Sequence, residues 1–241
     1  MTLEEFSNGF DTLVNSYRRF RSFDNQEASD SIEFDEYEKS LYLTKAQEEL
    51  VLSLYNGRNP YGDSFESTEE MRRHLDARVK HQGKQPFIPT GINPLETTSV
   101  FFQLPEDVWF IVFEEVRLRN DIDGCKAGTK IGVVPVRHDE YNRIKKNPFR
   151  GANERRALRL DAKDNVVEIV CDYPIDRYFF RYIKKLNPIV LENLPNGLTV
   201  NKKNTATDCE LHEALHQRIL ELAVMMGLRS KGYQYRREKE E

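Results

Sequence analysis

His212, Glu213 and His216, in the stretch TATDCELHEALHQRILELAVMMGL, spell H-E-x-x-H. At that spacing two histidines one helical turn apart can hold zinc while the glutamate acts as general base. Catalytic zinc needs a third protein ligand, and no histidine follows His216. The extended pattern would put glycine and a third histidine at 219 and 222, where this chain has Ile219 and Leu222. Cys209 stands at i to His212 at i+3 and His216 at i+7. Seven helical residues rise about 10 Å, too far for Cys209 and His216 to share one ion. A packing helix over about 208–229 accounts for the same residues. Thr207 and Glu210 form a capping box, and Leu211, Leu215, Ile219, Leu222 and Met226 make an apolar stripe bordered by His212 and His216. On this reading the chain is not an enzyme and has no catalytic, cofactor or metal residue. A zinc-dependent hydrolase using His212, Glu213 and His216 is the alternative.

A second group of residues carries charge rather than ligand chemistry. RIKKNPFRGANERRALRLD contains Arg143, Lys145, Lys146, Arg150, Arg155 and Arg156, broken by Pro148 and Gly151 into a loop rather than a basic helix. These six are the candidates for subunit or DNA contact. Downstream, DRYFFRYIKK interleaves Arg177, Arg181, Lys184 and Lys185 with Tyr178, Phe179, Phe180 and Tyr182. Such interleaving can stack single-stranded nucleic acid, and a nucleic-acid-binding accessory module over 143–185 is a further alternative. A strand with one packed face gives the same alternation. The sequence pI of about 5.9 is low for a dedicated nucleic-acid binder, which leaves non-specific phosphate contact as the DNA-binding expectation.

The elements that must position these residues fall into an α+β order. Leu3, Phe6, Phe10, Leu13, Val14, Tyr17 and Phe20 recur at helical spacing after a Thr2–Glu5 capping box. DEYEKSLYL follows, then a helix over TKAQEELVLSLYNG capped by Thr44 and Gln47 and stopped at Asn56-Gly57. Ser67 and Glu70 repeat the box before the helical run MRRHLDARVKHQ. From about residue 97 the runs become β-type: TTSVFFQL, VWFIVFEEVRLR, TKIGVVPV, RALRLD, NVVEIVCD, DRYFFRYIKK and PIVLENL, separated by turn signals. The expectation is N-terminal helices and a C-terminal helix framing a central antiparallel β-sheet or small barrel. The divisions are a helical region over 1–95, a β region over 96–200 with one short helix near 138–146, and a C-terminal helix and charged tail over 201–241 packing back on the helical region.

Composition limits the function classes. The longest apolar run, VWFIVF, cannot span a bilayer. MTLEEFSNGF carries no secretory pattern, and three cysteines far apart give no disulfide framework; both fit synthesis in a reducing cytosol. Residues 1–70 hold 16 acidic and 6 basic side chains, and 116–159 hold 5 and 12. Opposed charge of this kind suits head-to-tail association.

Four stretches together, SVFFQLPEDVWFIVFEEV, VVPVRHDEYNRIKKNPFRGANERRALRLD, YPIDRYFFRYIKKLNPIVLENLP and CELHEALHQRILELAV, resemble a family of virion structural proteins of crAss-like bacteriophages that infect gut Bacteroidales. These are ring-forming proteins of the neck between portal and tail. The resemblance covers most of residues 30–228. Its C-terminal pattern, C-E-L-x-x-x-L-H-x-x-I-L, is matched by Cys209, Glu210, Leu211, Leu215, His216, Ile219 and Leu220, with His212 and Glu213 at variable positions. The resemblance implies a non-enzymatic head-to-tail connector subunit without cofactor, made in the host cytoplasm and built into the virion. It implies self-association into a ring, twelve-fold by family, with the portal protein and neighbouring neck or tail rings as partners. The tail SKGYQYRREKEE would order only on docking to them.

Overall fold

The computed structural model describes residues 1–22 (side chains through Tyr17), 32–56, 73–75, 78–119, 128–195 and 197–232. The Ser67–Glu70 box, most of MRRHLDA and tail residues 233–241 lie outside them. The chain divides into two compact units: residues 1–77 with 186–241, and residues 78–185. The fold is α+β.

The first unit is helical. Helix α1 (Leu3–Ser22) opens with the expected box, Thr2 N donating to Glu5 at 2.8 Å and Glu5 N to Thr2 Oγ1 at 3.2 Å. Phe6, Phe10 and Val14 fill its buried face. Helix α2 (Glu36–Tyr55) starts at a box built by Asp35 and Glu38 and runs unbroken through Thr44. The proposed cap at Thr44 and Gln47 is therefore absent, and both side chains serve another segment. Ser40, Thr44 and Gln47, at i, i+4 and i+7, bond the backbone of residues 187–191. Leu191 N donates to Ser40 Oγ at 3.0 Å, Thr44 Oγ1 exchanges 3.1 Å bonds with Ile189 N and O, and Gln47 Nε2 donates to Asn187 O at 2.9 Å. A helix face thus substitutes for a neighbouring strand. PIVLENL forms no strand, only an isolated bridge from Val190 to Thr207.

The C-terminal helix α4 (His216–Ser230) begins eight residues later than its apolar stripe predicts. A 3-10 turn at Glu213–Leu215 precedes it, and His212 is extended. Thr207 and Glu210 form no box: Thr207 Oγ1 donates to Thr205 O, and Glu210 accepts from Asn187 Nδ2 at 2.6 Å. α4 packs on α1 and α2. A Cβ at Gly9 would stand 2.8 Å from Leu220 Cδ2, so any larger residue there would oblige the Leu220 side chain to shift.

The second unit is a curled seven-stranded sheet: β1 (Val79–Lys84), β2 (Val100–Gln103), β3 (Val108–Leu118), β4 (Lys130–Pro135), β5 (Arg156–Asp161), β6 (Val166–Val170) and β7 (Ile175–Lys184). The spatial order is β1-β7-β3-β4-β5-β6-β2. Every pairing is antiparallel except β4 with β5, which are parallel and joined through the short helix α3 (His138–Lys145). VKHQ, the end of the run expected to be helical, belongs to strand β1. Three register shifts between β3 and β7 bend the sheet, and a bridge from Phe87 to Phe101 links the chain beyond β1 to β2 at the far edge. The inner face gathers Phe102, Val116, Val167, Ile169, Tyr178, Phe180 and Tyr182. On the other face Tyr141 and Ile144 of α3 cover Leu158, Leu160 and Val170.

Candidate functional site

The H-E-x-x-H residues do not converge. His212 lies outside the helix, its Nδ1 accepting from Ala214 N at 3.2 Å. Its ring stacks on His74 with centroids 4.2 Å apart. His216 is buried, and both ring nitrogens are engaged: Nδ1 faces the N-terminal ammonium at 2.8 Å and Nε2 the carbonyl of Leu211 at 3.0 Å. Nε2–H therefore donates to Leu211, and the remaining lone pair, on Nδ1, accepts from Met1. Burial lowers the pKa of this imidazole, with help from the ammonium beside it. A ring whose lone pair is already used cannot also bind zinc. Cys209 is not on the helix either; its thiol meets Gln47 Oε1 at 3.3 Å. Among the described residues no three His, Cys, Asp or Glu side chains group as metal ligands. The geometry gives the hydrolase alternative no site.

The basic segment lies on α3 and the loop that leads from it into β5. Arg143 is exposed and pairs with Glu140 at 2.9 Å. Lys145 pairs with Glu96, which also accepts from Tyr141 Oη at 3.0 Å. These two donors hold the Glu96 carboxyl below its ordinary pKa. Lys146, Arg150 and Arg155 are exposed and form no ion pair with another described residue. Arg156 braces the loop, its Nη1 donating to Phe149 O at 2.8 Å.

DRYFFRYIKK splits by strand alternation. Tyr178, Phe180 and Tyr182 are buried inside the sheet and stack on one another. Arg177, Phe179 and Arg181 point outward, where Phe179 already lies under Arg117, Lys130 and His81. The run is therefore one packed and one solvated face rather than a row of aromatic rings open to bases.

Two charged clusters carry no recognisable sequence signature. Lys39, with its side chain 4% exposed, donates to Asp11 at 2.7 Å, Glu36 at 2.9 Å and Ser7 at 3.1 Å. Burial works to lower its pKa, but the two carboxylates outweigh burial and raise it. Inside the sheet, Arg159 Nη1 meets both carboxylate oxygens of Glu114 at 3.1 Å, and Tyr178 Oη donates to Glu114 at 2.7 Å. Burial raises the pKa of Glu114 despite these partners. Only the inward parity of positions 114, 159 and 178 along their strands could have suggested this meeting.

Comparison with known proteins bears on what this surface serves. A family model described as phage tail ring protein 3/4 matches residues 1–239. The chain belongs to this family. Ring protein 3 of Bacteroides phage crAss001 is 44% identical over 232 residues, 96% of both chains. Ring protein 4/5 of the same phage is 29% identical over 238 residues, covering 94% of this chain and 92% of that one. Family membership therefore extends through both units and supports a structural role in a phage virion. No helix among the described residues is long and apolar enough to cross a membrane.

Proposed function

We propose that the chain is the repeating subunit of a closed ring in the virion neck, between portal and tail, and performs no catalysis. The end-to-end match to ring proteins carries this reading. A ring needs two different complementary surfaces on each subunit, a heterologous interface that closes by rotation. The acidic residues of 1–70 and the basic residues of 116–159 supply the charges for such a pair. Arg143, Lys145, Lys146, Arg150, Arg155 and Arg156 stand on the basic side of that contact. A channel lined with cations would hold passing DNA through its phosphates, so these residues act chiefly between subunits, with DNA contact non-specific. Twelve-fold symmetry and docking to the portal are part of this proposal, and the tail beyond residue 232 would engage the adjoining ring.

Native mass spectrometry of the purified chain is expected to give a closed ring. A chain that stays monomeric at every concentration overturns self-association. Replacing Arg155 and Arg156 by glutamate should abolish the ring at physiological salt, and intact rings would remove the charge-pairing argument. Cryo-electron microscopy of virions tests position: this fold should occupy density between portal and tail, and density elsewhere would overturn the neck placement.

A further inference from the structure

Among the described residues the loop after α3 carries the most exposed phenylalanine. Phe149 is 85% exposed, yet its backbone is tightly held. Phe149 N donates to Asn147 Oδ1 at 2.9 Å, and Arg150 N and Gly151 N donate to Asn147 O at 3.0 and 2.8 Å. Arg156 donates to Phe149 O. A Cβ on Gly151 would meet Asn147 O at 3.1 Å and Lys145 O at 3.2 Å, so the chain folds back through a space in which a side chain would crowd two backbone carbonyls. A folded monomer gains nothing from fixing an apolar ring in water. Aromatic anchors rimmed by arginine are the commonest energetic centres of protein interfaces, and here Lys146, Arg150 and Arg155 supply an exposed rim.

The complement is on α2. Leu52 is 39% exposed and lies one turn beyond Glu48 and Glu49, with Glu49 exposed and Glu48 half-buried. The last turn of α2 also contains no basic residue, so the negative end of its dipole lacks a cation on its own helix. We propose that Phe149 of one copy seats on Leu52 of the next, with Arg150 and Arg155 against Glu48, Glu49 and the C-terminal end of α2. This contact rests on the ring-forming reading and names the anchor of its interface.

The test uses the full chain. Phe149→Ala should raise the concentration for half-assembly of rings by about 30-fold, the loss typical of an interface hot spot. At concentrations where both proteins are monomeric its thermal transition should match that of the wild type, because the side chain is largely exposed in the monomer. A benzophenone amino acid at position 149 should crosslink to residues 48–56 of a second copy. Arg150→Glu with Arg155→Glu should break the ring, and Glu48→Lys with Glu49→Lys should restore it. Rings of the wild type that form equally well from Phe149→Ala, or crosslinks elsewhere on the copy, to another protein or to DNA, overturn the contact while leaving the ring standing. A wild-type chain that makes no ring overturns both.

Discussion

Replacing Thr44 by valine removes one hydroxyl and strands two backbone groups. Thr44 Oγ1 accepts from Ile189 N and donates to Ile189 O, each at 3.1 Å, in a fully buried setting. Valine fills nearly the same space but can do neither. A buried amide and a buried carbonyl left unpaired cost about 1–3 kcal/mol each, and the added methyl returns about 0.8 kcal/mol. The net loss is about 1–5 kcal/mol, which in a chain of this size lowers the melting temperature by about 2–20 °C. Thr44→Ser is the control: it keeps the hydroxyl and loses one buried methyl, about 1 kcal/mol. Differential scanning calorimetry of the three proteins should place valine well below serine. A valine variant melting within about 2 °C of serine, or above it, would refute the idea that α2 serves residues 187–191 as a substitute strand.

The Glu114–Arg159 pair, with side chains 8% and 10% exposed, predicts strong coupling. Arg159→Met should cost about 3–5 kcal/mol by leaving a buried carboxylate unpaired, whereas Arg159→Met with Glu114→Leu should recover most of it; additive losses in denaturant melts would contradict the pairing. His216 predicts a pH slope. Burial lowers its pKa in the fold, so the folded imidazole takes up a proton at lower pH than the unfolded chain, which does so below about pH 6.5. Stability is therefore complete above that pH and falls as pH drops towards 5, by up to about 1.4 kcal/mol per unit. Urea midpoints at pH 7.5 and 5.5 should show a larger drop for the wild type than for His216→Gln, and equal drops would exclude His216 as the titrating group.

The strands from Val100 to Lys184 were legible because alternation and turn residues are local signals, and so was α1, whose cap and stripe lie within its own span. The misreadings come from partners far away in sequence. Thr44 and Gln47 look like a cap because polar residues in a helical run ordinarily mark its start; they are buried because a backbone segment some 145 residues on needs donors and acceptors. Leu211 and Leu215 continue the stripe of α4 although only Leu215 adjoins the helix, since an extended segment can bury a leucine as well as a helix can. The parallel pairing of β4 and β5 has no signature except the helix between them. At the basic surface, charge and loop shape were readable, but the bracing of Phe149 depends on Asn147, Gly151 and Arg156 acting together, which composition does not reveal.

The second unit is an insertion within the first: the chain leaves at Ala77 and returns at Leu186, and the ingoing and outgoing strands β1 and β7 are hydrogen-bonded neighbours. On the ribosome this reverses the order of folding. All seven strands have been made by residue 185, whereas α1 and α2, synthesised first, must wait for α4 before their apolar faces are covered. At about 5–20 residues per second the wait from residue 185 to the end of α4 at Ser230 is roughly 2–9 s. The oldest part of the nascent chain is thus the last to be buried, and during that interval Phe6, Phe10 and Leu50 are open to chaperones.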